Sequence, residues 1–381
     1  MNQMYMKRAI ELAKKGIGKT SPNPCVGAVI VKGGKFIAEA WHKKAGTDHA
    51  EIIAIKKLMK KSGIVTRHLD PSLFENAELY VTLEPCSHNG KTPSCAKAIV
   101  AAGFKKVYVG MKDPFKKVNG RGIKILKENG IDVEICKIGS DLANEIRSLN
   151  QPFIKWVSKG LPYVTLKAGM SLDGKIATST RESKWITSEQ SRKDARIERS
   201  LYDAVIVGAG TVMADDPELA AHGKFKNKAL LRVVVDPKLR LALNKKVFRD
   251  ENVIVFCCRD KVSKKNLEKY KKAGIEVKFF SGDKILVKQS LKFLAKRGIQ
   301  SVFVEGGSGV HGYMYDYFLK DRSLIDKVLF YIAPKIIGGK EALSVVGGKG
   351  VAKLKNAKEF ESFEVEMLGD EMKVEGIYNF W

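Results

Sequence analysis

Apolar residues occur in short runs set between polar, glycine-bearing stretches, and the character of the runs changes along the chain. The N-terminal run is interrupted by Glu11, Lys14 and Lys15 and stops at Gly16, which predicts an amphipathic helix and is unsuited to a signal-peptide core. Residues 26–31 and 36–41 are strand-like and are joined across Gly33-Gly34, a pair suited to a β-hairpin turn. A helix is predicted over about 48–61, a strand over 78–83 leading into Pro85-Cys86, and a helix over 93–102 stopped by Gly103. A strand at 106–111, a helix at 122–128 ending at Gly130 and a strand at 132–137 complete a three-layer α/β domain that closes near residue 147.

Residues 150–162 carry Pro152, Pro162 and the aromatic pair Phe153 and Trp156, and read as the connection between domains. The expected division is therefore 1–147 and 148–381. Beyond it, strand-like runs at 163–167, 204–207, 232–235, 253–257, 277–280, 302–304 and 327–332 alternate with helical segments near 189–200, 288–297 and 310–319. The C-terminal run 361–380 turns at Gly369-Asp370 and predicts an antiparallel hairpin on a mostly parallel sheet. There is no internal repeat, so the halves are different modules, and 381 residues suit two domains of roughly 100–200 each.

A hydrophobic share of 44% and an aromatic share of 8% exclude global disorder. With 68 basic against 42 acidic residues the net charge is +26, which favours anionic partners: phosphorylated metabolites, nucleic acid or acidic membranes. The basic residues are 54 lysines and 14 arginines, the lysines scattered rather than gathered into a stripe with aromatic partners, so nucleic acid is the second choice. Six unevenly spaced cysteines make no disulfide framework, and no window approaches the roughly 18 apolar residues of a membrane span. A soluble, cytoplasmic protein follows as the expectation, with no nucleic-acid or membrane partner and a homo-oligomeric state.

The most specific pattern is His49-Ala50-Glu51 near a helix start, followed by Pro85-Cys86 and Cys95. Catalytic zinc takes three protein ligands and keeps a fourth position for water, whose pKa falls to roughly 7. His49, Cys86 and Cys95 supply three ligands, and Glu51 is an acid suited to move the water's proton to a leaving amine. Ligand softness points to zinc, with iron the other candidate. Ordinary buried thiols and a helix-terminal histidine are the bland alternative. His88 is a second candidate ligand or a loop residue, and His42 is read as a surface histidine at a strand end in preference to a pocket residue. Cys25, Cys136, Cys257 and Cys258 read as small core hydrophobes.

In the second half Glu305-Gly306-Gly307-Ser308-Gly309-Val310-His311-Gly312 follows an apolar strand and opens a helix, a turn whose amides can approach a phosphate. Its position late in the domain disfavours a standard dinucleotide fold, and a glycine turn kept for tight packing is the alternative. Arg192, Arg196 and Arg199 share a helix face, either to hold phosphate, with Arg199 foremost, or as an exposed face paired with Asp194 and Glu198.

The segment from Pro85 to Cys95, together with Asn23-Pro24-Cys25-Val26-Gly27, closely resembles the deaminase half of the bifunctional riboflavin-biosynthesis deaminase/reductase family. Five further segments resemble its reductase half: residues 167–175, 183–188, 208–217, 304–307 and 333–338. The resemblance implies a cytidine-deaminase-like domain followed by a dihydrofolate-reductase-like domain, with Zn2+ and NADPH as cofactors. By resemblance Asn23 contacts the pyrimidine, and the loop 89–93 shapes its pocket. Gly169, Trp185, Thr211, Asp215 and the turn of Gly307, Ser308, Gly309, Val310, His311 and Gly312 hold NADP. Ser183, Arg199, Leu219 and Glu305 touch the substrate, and Lys167 and Asp215 position the reacting groups. A core anchor is the other reading of Trp185. Two positions depart from the family: His222 stands where arginine is usual, so that a phosphate contact is weaker and pH-dependent or lost, and Pro237 replaces a frequent serine. A nucleic-acid deaminase with an RNA-binding second half, or a second half that only senses a metabolite, are the competing readings.

Overall fold

A computed structural model describes residues 1–63, 69–87, 94–115 and 118–381. The chain divides into two compact units, residues 1–160 and 161–380, with Trp381 grouped with the first. The first unit carries strands β1 (Gly27–Lys32), β2 (Lys35–Trp41), β3 (Glu78–Leu83), β4 (Lys106–Met111) and β5 (Asp132–Ile135). Its helices are α1 (Gln3–Lys14), α2 (Ala50–Lys61), α3 (Cys95–Ala102), α4 (Arg121–Glu128), α5 (Asp141–Leu149) and α6 (Gln151–Lys159). The strand order is β2-β1-β3-β4-β5, with β1 antiparallel to both neighbours and the remainder parallel.

Side-chain alternation along the strands builds the two faces of this sheet. Ala28, Ile30, Leu79, Val81, Val107 and Val109 pack with Ala54, Leu58 and Ile99 from α2 and α3. The intervening Val29, Val31, Tyr80 and Tyr108 pack with Met6 and Ile10 of α1 and Leu142 and Ile146 of α5. The β1–β2 turn has both Gly33 and Gly34 at positive φ, which the tight right-twisted hairpin demands and which side chains with a Cβ resist.

The division falls after Gly160 rather than near residue 147. Residues 151–159, expected to be a connection, form α6, because Pro152 sits in the first helical turn, where its missing N–H costs no hydrogen bond. Gly160 then caps the helix.

The second unit has strands β6 (Tyr163–Ser171), β7 (Lys175–Ala177), β8 (Ala204–Gly208), β9 (Leu231–Val235), β10 (Val253–Cys258), β11 (Glu276–Phe280), β12 (Ser301–Val304), β13 (Lys327–Ala333), β14 (Leu343–Ser344), β15 (Ser362–Leu368) and β16 (Glu371–Ile377). Nine of them form one sheet in the order β11-β10-β9-β8-β12-β6-β13-β16-β15, parallel up to β13 and closed by the antiparallel hairpin β15–β16. Helices α7 (Glu189–Leu201), α8 (Ala209–Asp215) and α9 (Lys264–Lys272) cover one face, and α10 (Val287–Lys296) and α11 (Ser308–Phe318) the other. The adjacent Cys257 and Cys258 point to opposite cores, as strand alternation requires, and all four cysteines read as core residues are buried.

One buried carboxylate locks the end of β3. Glu84 accepts hydrogen bonds from the amides of Asp113 (3.1 Å), Gly120 (2.9 Å), Gly122 (2.9 Å) and Ile123 (3.3 Å). It thus satisfies orphan donors at the N-terminus of α4 and ties that helix to the segment before Cys86. The approach is so close that a Cβ on Gly122 would lie 1.9 Å from the Pro85 carbonyl oxygen. Gly122→Ala should therefore destabilise the first unit by about 1–3 kcal/mol, read as a lowered urea midpoint in far-ultraviolet circular dichroism. An unchanged midpoint would mean that this contact is slack.

Candidate functional site

Two helix starts deliver their first residues to the end of β3. His49 is the N-cap of α2, Cys95 opens α3, and Cys86 lies between them on the segment leaving β3. His49 Nδ1 is 3.6 Å from Cys86 Sγ and 3.3 Å from Cys95 Sγ, and the three ligand atoms lie within 4.8 Å of one another. The Cys95 amide donates to Cys86 Sγ at 3.3 Å. Cys86 is held down at about 4, first by the hydrogen bond from the Cys95 thiol and then by His49 and the Cys95 amide, against burial. It is therefore a thiolate at neutral pH, the form that ligates metal. The donor set is one imidazole and two sulfurs around a common point, which fits zinc.

Glu51 stands in the first turn of α2, 3% exposed, and its Oε2 has no hydrogen-bond partner. Burial, opposed by His49, pushes its carboxyl up to about 7. A buried acid with a free oxygen beside a metal-ligand cluster is poised to trade protons with whatever enters.

A cavity of 410 Å3 opens over this cluster, with Asn23, His42, His49, Glu51, Cys86 and Asp113 on its polar side. Phe115, Phe153 and Trp156 form an apolar side, the last two from α6. His42 is buried rather than on the surface as expected, at 2% exposure. Its Nδ1 lies 3.0 Å from the Asp48 carbonyl oxygen and its Nε2 3.0 Å from Asn23 Nδ2. Burial above all lowers its pKa, so the neutral ring donates from Nδ1 and accepts at Nε2. Asn23 thereby donates one of its amide N–H groups to His42. The position of His42 directly after β2 was the only sequence signal for this role. His88 and the loop 89–93 lie outside the described residues.

The second unit holds a cavity of 700 Å3 lined by Ser183, Gly208, Thr211, Asp215 and the turn Gly307–Ser308–Gly309–Val310. Gly307 faces Thr211, its would-be Cβ lying 3.4 Å from Thr211 Oγ1. Pro237, Arg240 and Lys284 also line it. His311 and Gly312 point the other way. His311 is fully buried, with its ring nitrogens 3.1 Å from the Val345 and 3.3 Å from the Val304 carbonyl oxygens. Gly312 is pressed against Gly347, where a Cβ would meet the backbone at 2.1 Å.

Lys167, Arg199 and Glu305 form a separate cluster in which Arg199 is buried and the other two are partly buried. Arg199 pairs with both oxygens of Glu305, Nη2 lying 3.1 Å from Oε2, and Lys167 Nζ lies 3.8 Å from the same Oε2. Glu305 stays ionised because Arg199 and Lys167 outweigh its burial. Lys167 is lowered, chiefly by burial, with Arg199 and Arg196 adding to the effect. Arg199 also donates to the Ala220 carbonyl at 3.1 Å, holding the 219–221 segment in which Leu219 is buried. The half-buried His222 is lowered, first by burial and then by Arg199 and Arg196, so it stands as a neutral imidazole beside two guanidinium groups.

Trp185 is 63% exposed, which rules out a core anchor, and Arg192 lies over its ring at 4.2 Å. Gly169 abuts Thr187, and Asp215 Oδ1 is 3.4 Å from Lys184 Nζ. Asp173 accepts from the Ile337 and Gly338 amides at 3.1 and 2.8 Å, joining two of the segments singled out in the sequence.

Two family models match the chain, the cytidine and deoxycytidylate deaminase zinc-binding region over residues 1–111 and the RibD C-terminal domain over residues 162–374. Riboflavin biosynthesis protein RibD of Bacillus amyloliquefaciens is 40% identical over 380 residues, covering 99% of this chain and 96% of the relative. That of Aquifex aeolicus is 38% identical over 376 residues, covering 98% of each chain. A solved Thermotoga maritima structure, titled a diaminohydroxyphosphoribosylaminopyrimidine deaminase/5-amino-6-(5-phosphoribosylamino)uracil reductase, matches with a TM-score of 0.81 at 37% identity, over 99% of this chain and 98% of that one. The first unit accordingly has the deaminase fold and the second the dihydrofolate-reductase-like fold. The chain belongs to the RibD family of riboflavin biosynthesis, bifunctional enzymes that join a zinc deaminase to an NADPH-dependent reductase.

Proposed function

We propose that the two units act in succession on one phosphorylated pyrimidine. The first deaminates 2,5-diamino-6-ribosylamino-4(3H)-pyrimidinone 5′-phosphate, and the second reduces 5-amino-6-(5-phosphoribosylamino)uracil to its ribitylamino product. The observation that carries the reading is the clustering of His49, Cys86 and Cys95 beside the unpartnered Oε2 of buried Glu51. Zinc held by those three residues supplies, when bound, a water that ionises near neutral pH. Glu51 takes the proton of that water and delivers it to the amine, so that the ring carbon gains oxygen as its bond to nitrogen breaks and ammonia leaves. Asn23, its amide N–H held by His42, accepts a hydrogen bond from the pyrimidine, and Phe115, Phe153 and Trp156 offer apolar faces to the planar ring.

In the second unit NADPH, when bound, supplies a hydride to the ribosyl C1 carbon of the opened imine, whose nitrogen takes a proton. Thr211, Asp215 and the turn of Gly307, Ser308, Gly309 and Val310 hold the cofactor, with Gly169 and Trp185 on its nicotinamide side. His311 and Gly312 support that turn from beneath. Ser183, Arg199, Leu219 and Glu305 hold the substrate, and Lys167 orients the reacting sugar. Positioning of this kind supplies most of the rate where the cofactor carries the chemistry. The +26 charge steers both anionic substrates toward the protein. We place the enzyme in the cytoplasm, where its six free cysteines stay reduced, as a homo-oligomer with no nucleic-acid partner.

Glu51→Gln should lower ammonia release by about 10²–10⁴ while leaving zinc content and reduction of the supplied uracil compound unchanged. Retained deamination would remove Glu51 from proton transfer. His42→Ala should raise the deaminase KM about tenfold, the worth of roughly 1.4 kcal/mol, with a smaller change in kcat. An unaltered KM would separate His42 from substrate binding. Glu305→Gln should depress reductase kcat/KM by about 10² without weakening NADPH binding measured by fluorescence. A parallel loss of NADPH binding would assign Glu305 to the cofactor instead.

A further inference from the structure

We propose that Arg196 supplies the positive charge that receives the 5′-phosphate of the reductase substrate, an inference that rests on the reading of the second unit as the reductase of a phosphorylated ribosylaminouracil. Of the three arginines that share a face of α7, two are already engaged. Arg192 donates to the Thr187 carbonyl and lies over the Trp185 ring. Arg199 spends Nε and Nη2 on Glu305 and Nη1 on the Ala220 carbonyl. Arg196, about one turn earlier, is half-buried, and its guanidinium makes no hydrogen bond or ion pair among the described residues. The acids of the helix are committed elsewhere, Asp194 and Glu198 to Lys373 and Glu189 to Lys193. A half-buried guanidinium whose five donors have lost part of their water and gained no protein partner is open to an anion.

Packing sets this group beside the Lys167–Arg199–Glu305 cluster. The His222 amide donates to Ser200 Oγ at 2.7 Å and the Ser200 hydroxyl donates to the Arg196 carbonyl at 2.7 Å, so the 222–223 segment lies along the turn of α7 that carries Arg196. Gly223 meets the same turn, a Cβ there falling 3.9 Å from Ile197 Cγ1. The charge of Arg196 reaches both Lys167 and His222, whose pKa values it helps to lower after burial and Arg199. Lys167, Arg196 and Arg199 thus set three positive charges against the carboxylate of Glu305, while Glu218, on the His222 side, pairs with Arg249 at 3.3 Å. The excess suits a phosphate monoester, which carries about −1.5 to −2 at pH 7 and offers three acceptor oxygens to the paired donors of a guanidinium. The phosphates of NADPH are a poorer match, because the 700 Å3 cavity takes none of its described lining from Lys167, Arg196, Arg199 or His222.

Steady-state reduction of 5-amino-6-(5-phosphoribosylamino)uracil by the full chain tests the assignment. Arg196→Gln should raise KM about 10–100-fold with a smaller change in kcat. NADPH binding and the thermal midpoint of the free protein should be retained, since the substitution strands no partner. With the dephosphorylated compound, wild type and variant should have the same KM. Moving the charge across the site, as Arg196→Gln together with His222→Arg, should recover most of the lost affinity, a rescue that a merely structural role for Arg196 would not allow. An unchanged KM in folded Arg196→Gln, an equal loss with the dephosphorylated compound, or a loss of NADPH binding would overturn the proposal while leaving the reductase reading in place. No reduction by the wild type would overturn that reading, and the inference with it.

Discussion

The deaminase half depends on the carboxylate of Glu84, a buried charge that four backbone N–H groups solvate in place of water. Because β3 ends at Leu83 and Cys86 follows three residues later, whatever fixes Glu84 also fixes the first sulfur ligand. The remaining two ligands come from helix starts, where unsatisfied N–H groups favour nearby negative charge and so favour a thiolate at Cys86. Metal binding and the local fold are thus one arrangement: the sheet sets the position, the helix ends set the charge, and burial of Glu51 sets the acid's readiness to hold a proton.

A second ionised cluster plays the comparable part in the reductase half. Glu305 leaves β12 directly before the glycine turn, and its pairing with Arg199 joins that turn to α7 and, through Ala220, to the 219–221 segment. Removing one member of such a buried group leaves the others unpaired, which is costly, so the cluster behaves as a unit. Burial first, and then Arg199 and Arg196, lowers the pKa of His222 beside this cluster.

Much of this was legible in the sequence because it rests on local rules. Strand alternation, the Gly33-Gly34 turn and the C-terminal hairpin at Gly369 are short-range signals, and the spacing of His49, Glu51, Cys86 and Cys95 carries its chemistry openly. What escaped was set by contacts distant in sequence. His42 reads as a strand-end histidine until Asn23 and Asp48 are found on its two nitrogens. Residues 151–159 read as a connection because two prolines and two aromatics look irregular, whereas one proline starts a helix and the aromatics face the pocket. His311 and Gly312 extend the glycine motif by spacing, yet the turn of α11 carries them to the buried side against residues 345–348. Burial of Arg199 against Glu305, 106 positions apart, has no local signature.

The central claim is that one chain performs deamination and then reduction. The most direct test gives the purified protein the diaminopyrimidinone ribosylamino phosphate with NADPH and follows ammonia and NADPH together. The account predicts that ammonia appears first and that NADPH is consumed in equal amount. NADPH oxidation without ammonia release, or ammonia release with no oxidation even when the deaminated compound is supplied, would contradict it.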